Sequence, residues 1–558
     1  MEFPTFPLFL MRPKVINMES LERNGNHQPT RQIEVLGQAF RRVSDEHPDR
    51  VCLIQGEEEL TYSQVVDQVN RLANAISALG VQKGEKVALL FSNVPAYIVS
   101  YLACASIGAV LIPVNPKFRP GEILYVLNNC DAVALITLEE FIEPLAAMPS
   151  VPVGLRCVIL HGLDCHLARR APLPHPNAGW QWQDFERLIR ESSPRESSFL
   201  VEPHDPLGIF YTSGTTGTPK GVVLTNRMVV AGLEGWIDGL SLNEQSRSLL
   251  VAPFFHMVFN AFVLSVLCAG GSSVIVDSFQ LKVLLKEAER TRPTFTFAVP
   301  SVFIAMSNYS QIRDYDVSSL GAILYGAAPM PVEMIHRLHQ LFGGNQMNVC
   351  GQTETSGAIS RLLPEFALRK AGSIGTPLKG VEVTIFDEND QALPPNTIGE
   401  ICLRGPNVFK EYYKLPETTA KKLRGGWHHT GDLGYLDEEG FIYISDRKDD
   451  LIITSGERVF PGEVEEVLFT HPDVLDAAVV GVPDSIRGEA VAAFVVPRAG
   501  CQITSASVRQ LLRKRMTPYK VPRYVRVVEH IPRNASGKTL RGELRQLHVA
   551  STGAVGTE

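Results

Sequence analysis

The sequence predicts an α/β protein, with a large N-terminal domain of mostly βαβ-type sheets and helices followed by a small α+β C-terminal domain. Three observations lead there. Helical and strand periodicities alternate along most of the chain, the pattern of βαβ units around buried parallel strands. The 558 residues are too many for one core, so two or more domains are expected. From Asp446 the texture changes to shorter units, among them 476–484 (DAAVVGVPD) and 489–497 (EAVAAFVVP), which sets a boundary at 446–450.

Taken in order, residues 1–32 carry FPTFPLFL and then a polar stretch through Asn24, Asn26 and Pro29. They lack a basic segment leading into a long apolar core and a small-residue cleavage site. No secretory signal is expected, and the stretch reads as a poorly ordered extension, with Met11 and Met18 as further possible starts. Residues 60–80 place Val65, Val66, Val69, Leu72, Ala73, Ile76 and Leu79 at spacings of three and four before Gly80, an amphipathic helix. The apolar runs 86–92, 109–114, 132–138 and 273–277 read as buried strands. Residues 97–114 (YIVSYLACASIGAVLIPV) are long enough to resemble a membrane span. Ser100, Ser106 and Gly108 interrupt them and Pro113 and Pro116 close them, so a buried helix running into a buried strand is expected.

Composition excludes some functions. With 45% hydrophobic and 20% charged residues the chain is of ordinary globular type, and a net charge of −7 argues against binding a nucleic-acid backbone, which needs a basic face. The nine cysteines form no C-x-x-C pair or zinc-spaced cluster, and Cys165-His166 reads as an incidental loop pair. A reduced, cytoplasmic location is expected.

The most informative stretch is 211–226 (YTSGTTGTPKGVVLTN), which follows the apolar run 207–210. A strand feeding a phosphate loop explains it. Gly214, Gly217 and Gly221 would let the backbone approach an anion, Thr212, Ser213, Thr215 and Thr216 add hydroxyl donors, Lys220 adds a charge, and the expected ligand is a polyphosphate. It is not a Walker loop, since Gly221 and Val222 follow the lysine where Ser or Thr is required. Gly537-Lys538-Thr539 fails too, having Pro532 in place of the first glycine.

Further motifs follow in order: APFFHM (252–257), YGAAPM (325–330), CGQTETSG (350–357), GEICLRG (399–405), HTGDLG (429–434), DRKDDLIITSGERVFPGEVEE (446–466) and PRNASGKTLRGEL (532–544). On these motifs the chain, over about 33–546, resembles the adenylate-forming superfamily of acyl-CoA synthetases, luciferases and peptide-synthetase adenylation domains. The resemblance implies an ATP- and acid-binding domain at 33–445, a hinge at 446–450, a mobile catalytic lid at 451–548 and a tail at 549–558. It also implies ATP, magnesium and CoA as reaction partners. A carboxylate is a poor acyl donor because its leaving group would be oxide. Attack on the α-phosphate of ATP gives an acyl-AMP anhydride and turns that group into a stable phosphate. The barrier lies in bringing anions together, so aligned donors and cations matter more than a protein nucleophile.

By resemblance, Lys538 is the adenylation catalyst, a point charge on a long stem. Glu354 is the magnesium carboxylate, and Thr353 touches the α-phosphate. Asp432 accepts from the ribose hydroxyls, with Arg447 beside it. Gly326, Ala327 and Ala328 wall the adenine slot, and Cys350 before Gly351 stands where the family usually has an aromatic residue. Asp449 is the hinge about which the lid turns between two half-reactions, and Gly456 then lines a pantetheine channel. Residues 253–264 (PFFHMVFNAFVL) should line the acyl pocket with 299–303 opposite, which favours an apolar acid, fatty or aryl. His256 resembles a gate beside the reacting carboxylate, against a packed core histidine as the alternative. Asn260 either reads a polar substituent or satisfies backbone groups. The expected activity is an acid:CoA ligase. Loading of a carrier-protein phosphopantetheine thiol and a luciferase-like use of the adenylate are the alternatives.

Overall fold

The computed structural model describes residues 35–162, 179–196, 199–212, 219–277, 280–328, 330, 332–343, 345–448, 450–484, 486–533 and 539–553. The expectations for residues 1–32, for Ser213, Gly214, Thr215, Thr216 and Gly217, for Asp449, for Lys538 and for the Cys165-His166 pair lie outside these residues.

Among the described residues two large sheets and one small one carry the chain, and their class is the expected α/β. In the first sheet the strands Pro206–Thr212, Val110–Val114, Lys86–Leu90, Ala132–Leu138, Cys157–His161 and Gln181–Asp184 run parallel in that spatial order. Lys220–Thr225 and then Glu411–Tyr412 add antiparallel at one edge. In the second, Gln346–Cys350, Ala322–Gly326, Phe295–Ala298, Arg247–Leu250, Ser272–Ile275 and Val51–Gln55 form a parallel row. Ser360–Leu362, Ser373–Pro377, Ile442–Arg447, Trp427–Leu436, Gly399–Arg404 and Glu382–Phe386 extend it antiparallel.

One apolar core joins these two sheets. It includes Val87 and Leu89 from the first and Leu250, Ile275, Phe297 and Leu324 from the second. The helix Pro95–Ile107 is buried on nearly every side within it, as its sequence, apolar all round, requires, and it leads at once into Val110–Val114. Its Tyr97 and Tyr101 hydroxyls are satisfied by the Phe254 carbonyl at 3.0 Å and Asn260 Oδ1 at 3.2 Å. Among the described residues no helix is long and apolar enough to cross a membrane.

The helix expected over 60–80 is Tyr62–Ala78. Thr61 accepts from the Gln64 amide while Gln64 Oε1 accepts from the Thr61 amide at 2.8 Å, a capping box that fixes the start and leaves Leu60 in the strand Glu58–Thr61.

A third sheet begins at Ile452–Thr454 and includes Glu457–Val459, Val474–Asp484, Gly488–Pro497 and Tyr524–Val527. Val479, Ala493 and Val495 pack under the helices Pro461–Phe469 and Ser505–Arg515 through Val464, Leu468, Val508 and Leu512, while Val480, Ala492 and Phe494 pack on Leu544 of the helix Arg541–Gly553. Both faces are covered, which is why these strands read as unbroken apolar runs.

Two local constraints are open to measurement. Gly375 has φ +86° and sits where the ladder to Ile442–Arg447 shifts register, and a Cβ there would collide with the Arg361 carbonyl. Gly375→Ala combines left-handed strain with that collision. It should lower stability by about 2–4 kcal/mol, read as a lower melting temperature. Asp446, 8% exposed, accepts from the Gly462 amide at 2.9 Å and the Arg447 amide at 2.7 Å. Burial pushes its carboxyl up to about 6, against the pull of Arg541. The folded state therefore holds this proton more tightly than the unfolded chain, and the contribution to stability is lost as pH rises from about 4 through 6. Asp446→Asn should gain stability relative to the parent across that window, checked by melting curves at a series of pH values.

Candidate active site

The site forms at the carboxyl ends of the parallel strands Ala322–Gly326 and Gln346–Cys350, where open α/β sheets bind ligands. The strands meet closely there. A Cβ at Gly326 would strike the Val349 carbonyl, and one at Gly351 would strike the Gly357 carbonyl, so both positions exclude any side chain. Ala327 follows exposed at φ +65°, and Ala328 is half-buried. Cys350 ends its strand close enough to Asp432 that the carboxylate, after burial, helps push its thiol up to about 12; it remains a neutral thiol.

Past Gly351 the chain makes a single turn, Thr353–Thr355, that gathers the polar side chains. Gln352 donates from Nε2 to Asp432 Oδ2 at 2.6 Å, and His428 Nε2 lies 3.3 Å from Gln352 Oε1. Burial drives His428 down to about 3, so its ring is neutral and donates through Nε2, which fixes the orientation of the Gln352 amide. Asp432 and Arg447 face each other across the antiparallel pair of Trp427–Leu436 and Ile442–Arg447, with Arg447 Nε 3.1 Å from Asp432 Oδ1.

Glu354 sits in the same turn. Its Oε1 accepts from the Tyr412 hydroxyl at 2.7 Å and its carbonyl from the Phe409 amide at 2.8 Å. Thr353 is half-buried, and its hydroxyl makes no hydrogen bond among the described residues. Lys220 opens the strand Lys220–Thr225, opposite Thr212, with its ammonium 6.0 Å from the Tyr412 ring centre. At Gly221 a Cβ would lie 2.6 Å from Ile209, so packing there excludes a side chain.

Contacts thus connect Lys220, Tyr412 and Glu354, and Gln352, Asp432 and Arg447, and the turn that holds both Gln352 and Glu354 joins the two groups. His256 and Gly456 stand outside that chain. His256 precedes the short helix Met257–Phe259, its ring is 5.1 Å from that of Phe255, and burial lowers it to about 4. The helix abuts the site, since a Cβ at Gly357 would lie 3.2 Å from the Met257 carbonyl. Gly456, at φ +84°, turns the hairpin of Ile452–Thr454 and Glu457–Val459 and is exposed.

The segment 253–264 divides by exposure. Phe254, Met257, Phe259, Phe262, Val263 and Leu264 are core residues; Pro253, Phe255, His256 and Val258 are the partly exposed ones. Asn260 is buried in a π-helical stretch, Asn260–Leu264, and accepts from the Tyr101 hydroxyl. Among the described residues its side-chain oxygen thus serves the Tyr101 side chain rather than a backbone group, the second of the two roles expected for it. Phe303 likewise packs in the core with Ile323 and Tyr325.

Sequence reasoning passed over Gln352, His428 and Tyr412. The first two stand within or beside quoted motifs, and a polar residue between Gly351 and Glu354 was the available signal. Tyr412 contacts a residue 58 positions away and had none.

Comparison with known proteins agrees with this architecture. Residues 40–413 match the AMP-binding enzyme family and residues 463–538 match the AMP-binding enzyme C-terminal domain. A long-chain-fatty-acid–CoA ligase of Bacillus subtilis is 31% identical over 516 residues, covering 89% of this chain and 91% of that protein. An indoleacetate–CoA ligase of Aromatoleum aromaticum is 33% identical over 521 residues, covering 93% and 99%. The crystal structure of an anthranilate CoA ligase in complex with anthranoyl-AMP superposes with a TM-score of 0.84 at 25% identity, covering 93% of this chain and 98% of that one. With both family domains present in order and relatives aligned along nearly their whole length, this chain belongs to the AMP-binding enzyme family.

Proposed function

We propose that the protein is an AMP-forming acid:CoA ligase that activates an apolar carboxylic acid, fatty or aryl, in the cytoplasm. The observation that carries this is the connected polar chain from Lys220 to Arg447 at the strand ends, which gathers a phosphate-loop lysine, a metal-type carboxylate and a ribose-type carboxylate in one place. Relatives named for long-chain fatty acid and for indoleacetate support an apolar acid. The free cysteines among the described residues are consistent with a reducing compartment.

In the first half-reaction the substrate carboxylate oxygen attacks the α-phosphorus of ATP and pyrophosphate leaves. Asp432, held by Gln352 and Arg447, accepts from the ribose hydroxyls, and the adenine lies along Gly326, Ala327 and Ala328 beside Cys350. Lys220 and the hydroxyls of Thr212, Ser213, Thr215 and Thr216, with the backbone at Gly214 and Gly217, take the leaving phosphates. Thr353 donates to the α-phosphate and Lys538 bridges it to the acid. Magnesium, when bound with the triphosphate, neutralises phosphate charge. A lone carboxylate suits it, because it retains waters and takes phosphate oxygens, and Glu354 has one oxygen outside the Tyr412 bond to offer.

In the second half-reaction the thiol sulfur of CoA attacks the acyl carbon, its proton is lost and AMP leaves. The domain of residues 33–445 stays in place while the lid, 451–548, turns about 446–450 at Asp449 to withdraw Lys538 and bring Gly456 to the pantetheine. His256, neutral above pH about 4, gates the reacting carboxylate.

Lys538→Ala should abolish carboxylate-dependent exchange of pyrophosphate into ATP; retained exchange removes that lysine from the mechanism. Asp432→Ala loses a charged acceptor to two hydroxyls and should raise the KM for ATP at least about tenfold. Mass spectrometry of reactions with ATP, magnesium and a panel of fatty and aryl acids, with and without CoA, tests the activity itself. Acyl-CoA formed only with CoA is expected, whereas acyl-AMP in both with no thioester would redirect the assignment to a carrier-protein thiol or another fate of the adenylate.

A further inference from the structure

Tyr412 stands in none of the motifs that define the reaction, yet it occupies the junction of the site. It lies on the two-residue strand Glu411–Tyr412, which pairs with Val222 and Val223 of the strand opened by Lys220. Three contacts converge on it. Its hydroxyl donates to Glu354 Oε1 at 2.7 Å, its ring faces the Lys220 ammonium at 6.0 Å, and its other edge packs on Phe409 at a centroid distance of 4.8 Å. The residue is 5% exposed, and its amide is tied by Thr419 Oγ1 at 2.9 Å, so the ring has little freedom. The same loop fastens Glu354 from its other end, through the Phe409 amide on the Glu354 carbonyl.

A carboxylate alone on a single turn can rotate and offer either oxygen. A buried donor fixed on one oxygen removes that choice, and such outer partners orient metal ligands. We infer that Tyr412 is a positioning residue for the metal-bearing carboxylate: its hydroxyl holds Oε1 of Glu354 and leaves Oε2 to the cation. This rests on the assignment of Glu354 to magnesium above. Packing against Lys220 couples that carboxylate to the phosphate-loop edge, so cation and lysine are set relative to one another through one ring.

Manganese serves as the probe, titrated into the full-length enzyme with ATP and followed by electron paramagnetic resonance. Tyr412→Phe keeps the ring and deletes the donor. It should weaken manganese binding to the enzyme–ATP complex about tenfold and raise the half-saturating magnesium for pyrophosphate exchange in parallel. Tyr413→Phe, which loses a 2.9 Å bond to the remote Asp131, should leave the titration unchanged. In a Glu354→Gln background Tyr412→Phe should cause no further loss, as two residues acting through one contact require. A Tyr412→Phe titration that overlays the parent, or losses that add in the double variant, overturns the inference. A parent that binds manganese with ATP but shows no acid-dependent exchange would defeat the ligase assignment while leaving the role of Tyr412 standing.

Discussion

The bond from Gln352 to Asp432 spans 80 residues at 2.6 Å, and the site exists only where it can form. Gln352 leaves the end of a parallel strand, while Asp432 sits on an antiparallel hairpin. The two meet because Ser360–Leu362 and Ser373–Pro377 carry the second sheet from one regime to the other. That bridge needs Gly375 to approach Arg361 without a side chain, and the strand ends need Gly326 and Gly351 for the same reason. Backbone proximity at three glycines thus sets the distance between two polar side chains.

Charge is arranged with equal economy. Asp432 is nearly buried and has Arg447 and Gln352 beside it, the kind of partners a buried carboxylate needs. Among the described residues the Glu354 carboxylate has a single donor, the Tyr412 hydroxyl, whereas Asp432 is held by both Gln352 and Arg447. One is prepared for hydroxyls within a fixed frame, the other retains an oxygen for a cation. Asp446 shows the opposite outcome: partners too few for its burial leave it with a raised pKa at the start of the proposed hinge.

Much of this was legible in the chain. The buried helix before Val110–Val114, the parallel strands and the covered strands of the small sheet follow from periodicity alone, because burial on one face or two is written in which residues are apolar. The motifs also led to Glu354, Asp432 and Arg447, which the fold brings into one network. Less was legible at 253–264, where apolar character is shared by core and pocket and cannot separate them; most of its large side chains went to the core.

The sequence by itself determined the element types, the family and the chemistry available, since these depend on local spacing and on residue kind. Only the tertiary structure decided that Gln352 and His428 orient Asp432, that Asn260 serves Tyr101, and that Tyr412 reaches Glu354. Each is a side-chain hydrogen bond between segments 58 to 159 residues apart. Its strength depends on separations within a few tenths of an ångström that no local pattern encodes.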